Sequence, residues 1–163
     1  MRQMFQGWRS NSPGYSLVEL LVVSAILLIL ASAIAPLSSV TIQRQRETEL
    51  RRNLRELRTA IDDYKDAVDL GLIGGTDIDP SNAGYPPTLE SLVEGIESND
   101  QANSGRLRFL RRIPIDPMTK TKGWGLRSYQ DDPNDSIWGG DNVYDVYTTS
   151  RGTGLDGTLY REW

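Results

Sequence analysis

The feature that most constrains this chain is the run LVELLVVSAILLILASAIAPL, residues 17–37, in which Glu19 is the only charged side chain. A helix of that length, rising about 1.5 Å per residue, matches a hydrocarbon core roughly 30 Å thick. A carboxylate placed there costs about 2.5 to 3.5 kcal/mol at a helix centre and less toward the interface, so Glu19 needs a partner that a plain anchor does not supply. Behind the run the sequence becomes polar and is punctuated by Gly and Pro, as in a soluble domain. The two parts of the chain answer to different solvents.

Composition removes several classes of function. The chain has no Cys and no His, which rules out disulfides, thiolate ligands, histidine-based triads and the commonest zinc sites. No nucleophile stands beside a base at a recognisable spacing, so no catalysis is expected; a membrane-anchored hydrolase would have to work through the Asp-rich loops alone. The formal net charge is −4, and loss of a leader carrying Arg2 and Arg9 would leave the remainder more acidic still. That balance does not suit a nucleic-acid binder.

The residues leave two simple readings of the amino-terminal region. One is a single-pass anchor. The other is a secretory signal peptide with a basic start at Arg2 and Arg9 and small residues Ala31 to Ala33 at the cut, which would release a soluble domain beginning at Ile34. The apolar run is longer than the usual signal-peptide core and is interrupted early by Glu19. Arg44, Arg46, Arg51 and Arg52 follow the run, and by loop charge alone they would place the following part in the cytoplasm.

The stretch GYSLVELLVVSAILLILASAIAP resembles the leader junction and first helix of type IV pilins and pseudopilins. The match consists of a short basic leader ending in Gly, an aromatic residue, a small hydroxyl residue, two aliphatics, Glu, and an apolar helix interrupted by Pro. The resemblance implies that a prepilin peptidase cuts between Gly14 and Tyr15 and methylates the new amino terminus at Tyr15. It implies that Glu19 serves assembly by neutralising the amino terminus of a neighbouring subunit, and that Pro36 kinks the helix. The expected organisation is a leader over 1–14, a transmembrane and assembly helix over 15–37, an amphipathic helix over 38–70 and an extracytoplasmic head over 71–163.

Periodicity supports the middle of this plan. Leu50, Leu54, Leu57, Ile61, Tyr64 and Val68 recur at helical spacing and predict one apolar stripe, with Gly71, Gly74 and Gly75 as stop signals. Charge is segregated along the same helix. Residues 44–58 carry six Arg and three Glu, whereas residues 62–79 carry six Asp and one Lys. This pattern is either a solvated face with intrahelical pairs or a basic stretch that meets the acidic stretch of another subunit.

Beyond it, PTLESLVEGI predicts a short helix capped by Thr88. RFLRRIPIDP, WGLRSYQ and NVYDVYTTS predict three short strands. The fold class expected is α+β: a long amino-terminal helix, transmembrane and then amphipathic, packed against a small antiparallel sheet of about three strands.

These segments, with YPPTLESLVEG and YDVYTTSRGTGLDGTLYREW, resemble the G-type pseudopilins of type II secretion systems. The resemblance implies a structural subunit of a short filament that drives protein export. A type IV pilin of a surface pilus is the alternative. The implied location is the bacterial inner membrane, single-pass, with the amino terminus cytoplasmic before cleavage and the head periplasmic. The implied partners are further copies of the chain in a helical filament, the prepilin peptidase, minor pseudopilins, an inner-membrane assembly platform and the lipid bilayer, with no nucleic acid. Many G-type pseudopilins hold Ca2+ in the closing loop. Here residues 148–157 offer Asp156 as the single carboxylate, against the six to eight oxygens calcium takes. In the loop DDPNDSIWGGDN, Pro133 interrupts any EF-hand spacing and Asx-type turns are expected. Tyr160 and Trp163 are expected to tuck under the sheet, the alternative being a docking patch on the surface of the filament.

Overall fold

The computed structural model describes residues 14, 16–73, 82–99, 105–132, 135 and 137–163, with the side chains of residues 33–38 outside the described set. One helix dominates, α1, Leu17–Asp69. It opens where the Leu20 amide donates to the Ser16 carbonyl at 3.1 Å. It closes at Gly71, whose φ of +66° is a left-handed conformation that glycine adopts without penalty, while the Leu72 amide donates back to the Ala67 carbonyl. The kink expected at Pro36 falls on a residue whose side chain is outside the described set, as do Gly74 and Gly75. Two compact units divide the chain, residues 1–41 and 42–163.

In the second unit the apolar stripe packs as its spacing requires. Leu50, Leu54, Leu57, Ile61 and Tyr64 are fully or almost fully buried, and Val68 is partly buried against the same core. The other side of that core comes from Leu92, Trp124, Val143 and Val146. A second helix, α2, Leu89–Glu94, starts as expected at Thr88, whose hydroxyl accepts from the Ser91 amide at 3.3 Å. Gly95 ends it with φ +78°, and a Cβ there would sit 2.5 Å from the Leu107 carbonyl oxygen, so the close approach of that backbone demands glycine.

The sheet differs from the single sheet of about three strands. Among the described residues there are two separate two-stranded antiparallel ladders. The first joins β1, Ile96–Glu97, to β2, Arg106–Leu107; the second joins β3, Gly125–Arg127, to β4, Asp145–Tyr147, with Leu126 opposite Val146. WGLRSYQ and NVYDVYTTS each supply a strand. RFLRRIPIDP does not: only its neighbours Arg106 and Leu107 pair, and residues 108–116 run irregularly. Pro114 and Pro117 lack the amide hydrogen a ladder needs, which outweighs the β-branched residues around them.

Candidate functional site

Two regions carry the residues singled out by sequence. In the amino-terminal unit, Gly14 is exposed, with open space around the position a side chain would take. Tyr15 lies outside the described residues. Glu19 is exposed in the first turn of α1, where a carboxylate interacts favourably with the positive end of the helix dipole. Ser16 and Glu19 also have the S-x-x-E spacing of a capping box, a local signal that the sequence reading passed over. Around Glu19 the apolar side chains face outward on every side: Leu17, Leu20, Leu21, Leu28 and Ile29 are each more than 60% exposed. A patch of that extent is covered by lipid or by another chain in any stable state. Among the described residues no helix is long and apolar enough to cross a membrane. The span expected over 17–37 is thus not established as a transmembrane helix. Its described side chains end at Ser32, before residues 33–38.

In the head, the closing segment after β4 is fastened to α1 by polar side chains that recur along one edge of the helix. Gln43 Nε2 donates to the Tyr160 hydroxyl at 2.9 Å, and that hydroxyl donates to Glu47 Oε1 at 2.9 Å. Glu47 Oε1 also accepts from the Leu155 amide at 2.9 Å. One turn on, Arg51 Nη2 reaches Asp156 Oδ2 at 3.1 Å, and its guanidinium lies 3.9 Å from the Trp163 ring centroid. Arg58 Nε donates to Asp145 Oδ1 at 2.7 Å, and its Nη2 donates to the carbonyls of Val146 and Trp163 at 3.2 and 2.8 Å. Tyr160 and Trp163 meet edge to face at 5.0 Å. Tyr160 is buried in the core that Val146 of β4 also enters, and Trp163 packs against that core beside α1; the nearby Gly154 is kept small, since a Cβ there would lie 2.7 Å from the Trp163 ring.

Desolvation raises the Tyr160 pKa, with Glu47 adding to the shift and Gln43 opposing it. The Asp156 pKa is lowered, first by the Thr158 hydroxyl and amide, with Arg51 adding to the effect.

This arrangement does not fit calcium. Asp156 Oδ1 accepts from the Thr158 amide at 3.0 Å and hydroxyl at 2.6 Å, and Oδ2 faces a guanidinium. A cation already occupies the place a metal would take, and the single carboxylate falls well short of calcium's ligand count. Among the described residues no three His, Cys, Asp or Glu side chains gather to hold a metal. In the acidic loop, Asp131 Oδ2 accepts from the amides of Ser128 at 2.7 Å and Gly139 at 3.1 Å. Those bonds hold its pKa down, and they reach three residues back and eight residues on, a wider brace than the Asx-type turn expected there, in which the side chain accepts from the amide two residues on. Pro133, Asn134 and Ser136 lie outside the described residues.

One structural residue escaped the sequence reading. Asp116 is completely buried and accepts from the Met118 amide at 2.8 Å and from the hydroxyls of Thr119 and Thr148. It ties the turn after Pro114 to the end of β4. The Asp-Pro pair followed by Thr119 was the available signal, since Asp commonly accepts hydrogen bonds from residues two and three ahead.

Residues 9–35 match the family described as the prokaryotic N-terminal methylation motif. Over 113 residues the chain is 29% identical to the type II secretion system core protein G of Pseudomonas aeruginosa, covering 67% of this chain and 70% of that protein. No solved structure matches the chain. Together the amino-terminal motif and this similarity support a chain of the type IV pilin and pseudopilin kind, similar to core protein G.

Proposed function

We propose that this chain is a pseudopilin: a structural subunit of a type II secretion-type filament that is matured by a prepilin peptidase and assembles through the apolar part of α1. The observation that carries the reading is the methylation motif over residues 9–35, joined to 29% identity with core protein G over 113 residues. Cleavage falls between Gly14 and Tyr15, and Tyr15 is the methylated terminus. The leader is residues 1–14. The apolar helix of residues 15–37 stays with the mature chain, anchored in the inner membrane with the head on the periplasmic side until it enters the filament.

The physics of Glu19 supports this order of events. The helix dipole offsets only part of the cost of its carboxylate in apolar surroundings, and cutting at Gly14 creates a full positive charge on Tyr15. In a filament, Glu19 of one subunit neutralises the terminus of the next in a low dielectric, where the pair interacts most strongly. Processing is thereby tied to assembly. The exposed apolar surface from Leu17 to Leu30 supplies the packing area. Repeated head-to-tail copies generate an open helix rather than a closed ring.

Mass spectrometry of the mature protein tests the processing: a terminus at methylated Tyr15 is expected, and one at Ile34 overturns the reading. For Glu19→Ala, normal cleavage with at least about a tenfold loss of filament incorporation is expected, since removing one partner strands a buried charge. Undiminished incorporation removes Glu19 from the assembly step.

A further inference from the structure

The charged residues of α1 repeat with an unusual register. RRNLRELR, residues 51–58, places Arg at 51, 52, 55 and 58, while DDYKDAVD, residues 62–69, places Asp at 62, 63, 66 and 69. A displacement of eleven residues lays every one of these four arginines on an aspartate. Eleven residues are three helical turns, about 16 Å, with only about 20° of rotation left over, so the two sets also share one face.

That face is the one turned away from the core. Arg52, Arg55, Asp62, Asp63 and Asp66 are all exposed, on the side opposite Leu54, Leu57, Ile61 and Tyr64. Intrahelical pairing does not account for the pattern. Among the described residues the helix makes a single i,i+4 ion pair, Lys65 with Asp69, and Arg51 and Arg58 are turned to Asp156 and Asp145 in the head. No ion pair among the described residues engages Arg52, Arg55, Asp63 or Asp66. Three aspartates crowded on one face repel one another in a lone chain, an unfavourable arrangement that an opposite charge relieves.

We propose that this face binds a second, parallel copy of the chain displaced by three helical turns, pairing Arg52 of one copy with Asp63 of the other and Arg55 with Asp66. The inference rests on the pseudopilin reading, because that reading supplies parallel copies. Charge sets the register in both directions. Two copies side by side at the same level place Arg against Arg and Asp against Asp and repel, whereas the displaced pair sets the arginines of residues 51–58 against the aspartates of residues 62–69, with Arg44 opposite Arg55 as its one like-charge approach. A subunit must therefore advance relative to its neighbour before the contact forms. The contact is heterologous, so it extends an assembly instead of closing it.

The chain has no Cys, so engineered thiols report the register without background. Full-length Arg52→Cys and Asp63→Cys chains, produced together under assembling conditions, are expected to form a mixed disulfide, while two Arg52→Cys chains are not, because the bond requires close approach of the two β-carbons. In parallel, the double variant Arg52→Asp, Arg55→Asp is expected to lower filament yield at least about tenfold. Adding Asp63→Arg and Asp66→Arg to that same chain is expected to restore it. Thermal unfolding of all variants should match the parent, since the four side chains are exposed. Filaments that tolerate the double variant, or a loss the compensating pair does not reverse, overturn the register and leave the pseudopilin reading standing. A parent chain that never forms filaments overturns that reading, and the register with it.

Discussion

Arg58 makes the most connected single contact between α1 and the rest of the head, so its removal tests whether the helix edge holds the closing segment. Arg58→Met keeps an unbranched stem over the same surface but deletes the donors to Asp145, Val146 and Trp163. Asp145 retains Arg127 at 3.3 Å, so the carboxylate is not stranded. The Val146 and Trp163 carbonyls lose their donor. Charge-assisted hydrogen bonds contribute about 1.5 to 3 kcal/mol each when shielded. The Arg58 side chain is 38% exposed, which discounts the ion pair toward the surface value and brings the expected total to about 2 kcal/mol. A head of roughly 120 residues loses about 4 °C per kcal/mol, so a fall of about 8 °C is expected. The assay is thermal unfolding of the full chain in detergent, followed by tryptophan fluorescence, since Trp124 and Trp163 both pack on the head core. Arg52→Met, on the exposed face, is the control and should move the transition by no more than about 2 °C. Equal transitions for the two variants would falsify the claim that this edge clamps the segment.

Two further expectations concern the closing loop. Because Arg51 supplies the cation beside Asp156, the unfolding midpoint should be the same in millimolar calcium and in a chelator, and a rise of several degrees with calcium would show a metal site that this geometry does not contain. The lowered Asp156 pKa sets the acid behaviour. A folded-state pKa below the unfolded value means that the stabilisation is present above the ordinary carboxylate range and is lost as the pH falls through the folded value. The midpoint difference between the parent and Asp156→Asn should therefore be constant at neutral pH and shrink below about pH 4. A difference that persists unchanged at low pH removes Asp156 from the clamp.

What the sequence determined by itself were the local and periodic features. The stripe from Leu50 to Tyr64, the Thr88 cap, the stop at Gly71 and the methylation motif over residues 9–35 each depend on neighbours within a few residues, where the spacing along the chain is also the spacing in space. The resemblance pointed to the same amino-terminal motif and to core protein G. Only the tertiary structure decided the rest. RFLRRIPIDP carries strand-forming residues but also the prolines that keep it out of a ladder, and propensity did not say which would win. Arg58 and Asp145 are 87 positions apart, and Arg51 and Asp156 are 105 apart. No local pattern encodes such pairs, because each exists only once the head has folded back along the helix. The same folding decides which charges are used inside the chain. It takes Arg51 and Arg58 for the head and leaves Arg52 and Arg55 facing outward, in register with the aspartates of a second copy.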